Sequence, residues 1–529
     1  SGRADGADDA AVHFACLGLL ADILGRGFAS SAKGTNCHTT HAGAPTDAAT
    51  RRAVRDVILA VPYVSPCGDA PYLLAKAGLV AALLCKWDFE APAGGGGTSA
   101  DNLTGLCAVG AGGMFLRSAD ALLDEAIAFG PGRDASEVER TGRLRDIIRG
   151  SPGDADTPYR RMVAAILGET AGPHGRYALG ILGRFVGWAP DVYSDVLNAG
   201  AMDRLCRLVA DGGGGNDDGE EAAEAAVECI QEIYMRSLGH ETAPHALVSS
   251  RPLTHLLLPA LSPGGGGAPE GVAAASSRLA AACSAEAWSM YEASPSPDAA
   301  ALLANQMLPL FYASFSHPDP GVAEPAVDTA AKIVAAAGKL LRAAKRGGPP
   351  PDPLGTLSVH LPRVLDAACA RMKYPPRDPY FGMRPDADSS DTDDDAEAHR
   401  HSLRKLYVRI VRIAPDACLE RCRAALENAW RSSDPSETEA ALRLLYHHPE
   451  GTAGRGVRAG AAADKILPLL VAATSSSPPG TGAGTLARHP HDGVRLLYFE
   501  VAARYAVAFR ADAGLAATAL PDLLDGLTG

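Results

Sequence analysis

Apolar residues recur at every third or fourth position, in block after block, along the 529 residues of this chain. That spacing places them on one face of an α-helix. The β-branched runs that strands need are almost absent, and aromatic residues make up only 5% of the chain. The pattern therefore predicts an all-α protein, with its clearest helices over residues 10–24, 48–61, 72–87, 116–129, 159–167, 177–188, 192–209, 220–238, 272–291, 299–315, 322–341, 357–372, 403–413, 418–430, 437–446, 462–472, 494–509 and 517–527.

The length of the chain and the spacing of these blocks favour a repeat array. A single hydrophobic core stops growing well below 529 residues. The blocks pair into helical hairpins of roughly 40–50 residues, which is the period of HEAT or armadillo repeats. Glycine-rich stretches such as residues 94–97 and 212–215 fall between helices, where a solenoid tolerates insertions. We therefore predict an α-solenoid superhelix of HEAT-type antiparallel helical hairpins.

One acidic segment divides the predicted array. Like charges in a block repel one another and keep the chain extended. We therefore predict helical repeats over residues 1–383, a flexible acidic loop over 384–399, and further repeats over 400–529. The loop is either a solvated spacer or a contact for a basic partner. Its seven acidic residues are Asp386, Asp388, Asp391, Asp393, Asp394, Asp395 and Glu397.

The sequence contains no recognisable catalytic motif. There is no GxSxG elbow, no HExxH, no P-loop, and no GxGxxG between a strand and a helix. Cys418 and Cys422 lie one helical turn apart, but no further ligands stand at the spacing that a four-coordinate metal requires. We therefore predict a binding protein that is not an enzyme and that holds no metal or other cofactor.

Cysteine usage and hydropathy indicate the compartment. The eleven cysteines are scattered and include no CxxC pair, as is usual where thiols stay reduced. The longest clean apolar stretch, around residues 77–85, is too short to span a bilayer, and no signal peptide is visible. We expect a protein of the nucleus and cytoplasm that makes no membrane contact.

Basic residues cluster on three consecutive predicted helices, although the formal net charge of the chain is -13. Such clusters on adjacent helices of a solenoid can form a positive wall that contacts the phosphate backbone of a folded RNA. The alternative is an ordinary solvated helix face. The three clusters are Lys332, Lys339, Arg342, Lys345 and Arg346; Arg371, Lys373 and Arg377; and Arg400, Arg404, Lys405, Arg409 and Arg412.

Several segments in order resemble the exportin-T family of karyopherin-β proteins. Residues 367–375, the acidic segment and residues 404–407 are similar to the family's central region, where a basic pair and a tyrosine precede an acidic insertion. Residues 437–446 (ETEAALRLLY) and 494–509 (VRLLYFEVAARYAVAF) resemble later helices of the family. Of an early polar motif of the family, only Lys76 is kept. The match corresponds to an internal-to-amino-terminal part of such a protein.

The resemblance implies a nuclear export receptor. Such a receptor binds mature tRNA cooperatively with Ran-GTP, as a monomer, and carries it past nuclear pore proteins to the cytoplasm. The alternatives are a karyopherin that exports another cargo, a protein or a precursor microRNA, or a HEAT-repeat scaffold without a transport role. We expect tRNA to contact Arg342, Lys345, Arg346, Arg371, Lys373, Arg404 and Lys405, and Ran to contact Lys76, Asp393, Asp394 and Asp395.

Overall fold

The structure is a computed structural model of the chain, and its described residues are helical wherever they form regular structure. The chain divides into two compact units, residues 1–251 and 252–529. The described residues are 13–21, 53–54, 56–58, 71–88, 112–127, 142, 144–146, 148–150, 157–188, 201–211, 217–237, 253–262, 268–348, 352–373, 391–431, 434–452, 491–506 and single positions between 469 and 524.

Six helices of the first unit lie wholly within these ranges, and residues 13–21 are helical as well. Helix α3 has Thr157 as its N-cap, and the Thr157 hydroxyl accepts a hydrogen bond from the Arg160 amide at 3.2 Å. Residues adjacent in sequence therefore determine where this helix begins. The helices are α1 Pro71–Asp88, α2 Gly112–Ile127, α3 Pro158–Glu169, α4 Gly175–Trp188, α5 Ala201–Asp211 and α6 Asp217–Ser237.

Helices α2, α4 and α6 of this unit run parallel to one another. Tyr177, early in α4, donates a hydrogen bond to Asp120 on α2 at 2.7 Å, and Arg184, later in α4, forms an ion pair with Asp124, later in α2. Between α4 and α6, Arg176 forms an ion pair with Glu221, and Cys229 donates a hydrogen bond to the carbonyl of Leu179. Residue numbers rise together on both helices, so these two helices are parallel as well. A parallel row of alternate helices is the arrangement of stacked helical hairpins.

The second unit contains eleven α-helices within the described ranges. Neighbouring residues cap helices in this unit too. The Ser296 side chain accepts a hydrogen bond from the Ala299 amide at the start of α9, and the Asp434 side chain accepts one from the Ser436 amide at the start of α16. The helices are α7 Leu253–Leu261, α8 Glu270–Ala293, α9 Pro297–Leu302, α10 Leu308–Phe315, α11 Pro320–Ala323, α12 Val327–Gly347, α13 Leu361–Arg371, α14 Asp391–Ile413, α15 Pro415–Arg431, α16 Pro435–Gly451 and α17 Asp492–Arg504.

Two rows of helices build the second unit. The first row contains α8, α12, α14 and α16, and the second contains α10, α13 and α15. Within the first row, Thr329 on α12 bonds to the carbonyl of Ala281 on α8, and farther along Lys339 bonds to Glu292, so these helices run parallel. In the second row, residue 312 of α10 contacts residue 360 just before α13, and residue 318 just after α10 contacts residue 371 at the end of α13. Helices α10 and α13 therefore run parallel as well.

Helices α12 and α14 approach each other closely because one position between them has no side chain. A Cβ atom on Gly338 of α12 would lie 3.3 Å from Cγ2 of Ile413 at the end of α14. At the other end, Glu324 accepts a hydrogen bond from Ser402 of α14 at 2.9 Å. The two contacts therefore align the helices in parallel along most of their length.

The prediction of an all-α helical-repeat fold is confirmed. The predicted helix over 177–188 is Gly175–Trp188, and that over 272–291 is Glu270–Ala293. The superhelical path of the array stays a prediction. In the described ranges, no helix combines the length and the hydropathy that crossing a bilayer requires. The predicted helices over 48–61, 462–472 and 517–527 fall largely outside the described residues.

The structure differs from the prediction at the acidic segment. Helix α14 begins at Asp391, so residues 391–399, which we predicted as the second half of a flexible loop, are helical. The physical reason is that Asp391, Asp393, Asp394 and Asp395 occupy its first turns, where the positive end of the helix dipole stabilises carboxylates. The first half of the predicted loop, residues 384–390, lies outside the described residues.

Candidate nucleic-acid interface

The C-terminal end of α12 carries three exposed cations, Arg342, Lys345 and Arg346. The apolar stripe of this helix, which includes Ile333 and Ala337, is buried, and the long polar side chains of the last turns point to solvent. Positive charge at this end also compensates the helix dipole. Within the described part of the chain, none of the three cations forms an ion pair.

The neighbouring helix α14 adds three more exposed cations, Lys405, Arg409 and Arg412. Their spacing of four and then three residues places them on one face of the helix. Leu406 and Ile410 lie on the opposite face and are almost completely buried. The packing of that apolar face therefore turns the three cations outward.

The two sets of cations lie on parallel neighbours in the first row and are offset along the helix axes. Gly338 of α12 is level with Ile413, where α14 ends, so Arg342, Lys345 and Arg346 lie beyond the last turn of α14. Packed helices stand about 8–10 Å apart, and Lys405 to Arg412 spans about 10 Å along the axis. Both helices have the second row behind them, so their exposed residues face the same side. We call this surface the basic face, and it consists of Arg342, Lys345, Arg346, Lys405, Arg409 and Arg412.

Lys373, one of the predicted RNA contacts, is held inside the fold. Its ammonium lies 2.8 Å from Asp434 and 2.7 Å from Glu437, both at the start of α16. Burial opposes its charge, but the hydrogen bonds with these two carboxylates raise the pKa of Lys373 above its ordinary value. Its charge is therefore neutralised within the protein.

Arg404 and Arg371, also predicted RNA contacts, join helices to one another as well. Arg404 donates to Glu450 of α16 at 3.0 Å, and Glu450 also accepts from Arg504 of α17 at 2.9 Å. Arg371 donates to the carbonyl of Pro318, and burial lowers the pKa of its guanidinium. The structure thus separates the seven predicted cations, leaving four on the basic face and three in contacts between helices.

Arg409 and Arg412 were part of a predicted basic cluster but were not among the predicted contacts. The signal that could have found them is their spacing from Lys405, which places all three on one face of the predicted helix over 403–413. Arg400 shows the opposite case. It belongs to the same sequence cluster, yet it is buried against Glu439.

The four predicted Ran contacts are divided between the two units. Lys76 lies on α1 in the first unit, with its ammonium 5.5 Å from the centre of the Phe14 ring, which is a cation–π contact. Asp393, Asp394 and Asp395 lie in the first turns of α14 in the second unit.

Buried cysteines in the second unit do not form a metal centre. Burial raises the pKa of Cys422 to about 12 and also raises that of Cys369 and Cys418. Such thiols stay protonated and pack as small apolar groups. Among the residues described, no group of three or more His, Cys, Asp or Glu side chains could hold a metal ion.

Comparison of the chain with protein-family models and with curated proteins finds no match in either collection. The residues of the basic face and the resemblance of the sequence segments are therefore the two features that point to a function.

Proposed function

We propose that this chain is a helical-repeat receptor that binds the phosphate backbone of a folded RNA on its basic face. The observation that carries the proposal is the presence of six exposed cations on two parallel, adjacent helices. Contacts of this kind position an RNA by its charge and shape, without reading its bases. None of the six positions is aromatic, which favours phosphate contacts over stacking of single-stranded bases.

The resemblance to the exportin-T family makes mature tRNA the proposed cargo. In this proposal the chain binds tRNA together with Ran-GTP, passes nuclear pore proteins, and releases its cargo in the cytoplasm. It acts as a monomeric carrier that shuttles between nucleus and cytoplasm and catalyses nothing. The acidic first turns of α14 and Lys76 are the proposed Ran contacts.

The test is a pull-down of small RNA by the full chain with Ran locked in the GTP state, with Ran in the GDP state and without Ran. We expect tRNA to be enriched at least several-fold with Ran-GTP relative to the other two samples. Enrichment of precursor microRNA would assign another cargo to the same fold. RNA capture that does not depend on the nucleotide contradicts the export role, and capture of proteins alone contradicts RNA binding and leaves a scaffold.

A further inference from the structure

A groove of about 630 Å³ opens between two neighbouring hairpins of the second unit. It lies where the ends of α12 and α14 meet the starts of α13 and α15. Its volume falls within the range of clefts that bind ligands or short segments of other proteins. Its walls are apolar and include Leu341, Leu357, Leu361, Leu365, Ile410 and Ile413.

The rim of this groove is acidic. Asp416 and Glu420 lie four residues apart on α15, and Asp366 of α13 lines the same groove. The single cation in the lining, Arg421, is already engaged, since its Nε atom is 3.2 Å from Asp366. Glu420 is paired in turn with Arg423, which lies just outside the lining. With both guanidiniums counted, the three carboxylates leave the rim an excess of one negative charge.

The groove and the basic face use different sides of the same helices. On α12, Leu341 lines the groove, and the next residue, Arg342, belongs to the basic face. On α14, Ile413 lines the groove, and Arg412 lies on the basic face. The two surfaces also differ in the sign of their charge, which favours a polyanion on the basic face and a basic ligand at the groove.

We propose that the groove binds an amphipathic helical segment of a partner protein, with lysine or arginine residues on its polar side. Apolar side chains at helical spacing would fill the walls, as in other helix-in-groove complexes. The acidic rim selects a basic flank and disfavours an acidic one. The described helices offer no strand edge on which an extended peptide could add a strand, so the helical mode fits the site. This role is independent of RNA binding.

Three fluorescently labelled peptides of about 14 residues, or about four turns, test the proposal with the full chain by fluorescence anisotropy. The first has a leucine face and a Lys/Arg face, the second has the same leucine face with glutamates, and the third scrambles the first. We expect the first peptide to bind at least tenfold more tightly than the other two. The scrambled peptide controls for non-specific attraction to a chain of net charge -13. Equal affinity for all three peptides overturns the proposal.

Three variants locate the binding site. Ala417→Trp fills the groove from an exposed position on α15, and we expect it to weaken binding of the first peptide about tenfold or more. Glu420→Lys reverses a rim charge and should weaken binding about threefold. Glu427→Lys changes an exposed residue of the same helix outside the groove and should have no effect. Unchanged binding by Ala417→Trp and Glu420→Lys overturns the assignment.

Two further controls keep the outcomes separate. Far-UV circular dichroism shows whether each variant keeps its helical content. If Ala417→Trp loses helical content, peptide binding by Glu420→Lys, which changes an exposed residue, tests the location of the site instead. Sedimentation of the free chain shows whether a second copy occupies the groove: self-association that the first peptide displaces overturns the proposal of a basic partner. Because no variant alters the basic face, failure here leaves the RNA pull-down unaffected.

Discussion

Arg400 and Glu439 meet inside the second unit, where neither charge is well hydrated. The side chain of Arg400 is 9% exposed, that of Glu439 is 2% exposed, and their atoms approach to 3.2 Å. Arg400 also donates to the carbonyl of Met372 at 3.1 Å, and Arg443 bonds to the same Glu439. A buried pair of this kind contributes little net stability, but removing one partner leaves the other charge poorly compensated. Without Glu439, the carboxylate nearest to Arg400 is Glu397, which is 3.6 Å away and 68% exposed.

We therefore expect Glu439→Gln to lower the free energy of unfolding by about 3–5 kcal/mol. The measurement is chemical denaturation of the full chain followed by far-UV circular dichroism. Glu427→Gln is the matched control, since Glu427 is exposed on α15 and its loss should change stability by less than about 0.5 kcal/mol. Similar small effects of both substitutions would show that Arg400 is hydrated when Glu439 is lost.

His447 gives the second unit a sensitivity to acid. Burial, together with the positive charges of Arg404 and Arg443, lowers the pKa of His447 to about 4, against the opposing effect of Glu450. In the unfolded chain the pKa of histidine is about 6.5. Between these values the unfolded state binds a proton that the native state does not, so stability falls as the pH decreases from about 6.5 to 4.

We expect this one group to contribute a loss on the order of 3 kcal/mol across that range. Other buried histidines act in the same direction, so the measurement is a difference between proteins. Denaturation midpoints of the wild type and of His447→Gln are compared at pH 7.5, 6 and 5. The variant should lose less stability on acidification, and parallel pH profiles would exclude His447 as the source.

At the scale of elements, glycine decides how closely two helices approach. A Cβ on Gly78 of α1 would lie 2.8 Å from the backbone carbonyl carbon of Arg117 and 2.9 Å from the amide nitrogen of Ser118, both on α2. Gly180 of α4, in contrast, is exposed and has no atom within 4 Å of such a Cβ. The same substitution should therefore have opposite effects at the two positions.

Gly78→Ala should destabilise the first unit by about 1–3 kcal/mol, because the steric conflict involves backbone and exceeds the gain in helix propensity. Gly180→Ala should stabilise it by about 0.5–1 kcal/mol, since only the gain in propensity remains. Thermal unfolding monitored by circular dichroism gives both shifts. A stabilising effect at Gly78 would contradict the close packing of α1 on α2.

The acidic segment illustrates why an element can be misjudged from sequence. A run of aspartates predicts an extended loop if it is considered alone. In α14 the aspartates are followed by an apolar helix face whose residues Leu403 and Tyr407 are buried. Once that packing holds the later residues in a helix, the aspartates occupy its N-terminal turns, where negative charge stabilises the helix. The packing of the later residues therefore determines the conformation of the earlier ones.

At the scale of the whole molecule, the basic face is a local concentration of positive charge on a chain whose formal net charge is -13. Each phosphate contact releases counterions, so it adds to the salt dependence of RNA affinity. We expect Arg342→Glu or Lys405→Glu to weaken tRNA binding about equally across tRNA species. Each should also flatten the slope of log affinity against log salt by roughly one unit. The measurement is Ran-dependent tRNA binding at 50 and 200 mM salt.

Arg423→Glu is the matched control for these substitutions. It makes the same change of charge at an exposed position, but on α15 of the second row. It should leave the salt slope unchanged. If Arg423→Glu has the same effect as Arg342→Glu, the response reflects total charge, and the assignment of the basic face is wrong.

The sequence by itself determined the helical class and most helix positions, because periodicity and capping are local properties of the chain. Residues 272–291 and 177–188 carry their own apolar stripes, and any fold must bury them. Only the tertiary structure decided the partners of the charges. Lys373 and Lys345 look alike in sequence, yet whether a cation meets a carboxylate depends on residues about 60 positions away, as between Lys373 and Asp434. The basic face and the acidic-rimmed groove exist because α12, α13, α14 and α15 pack as they do.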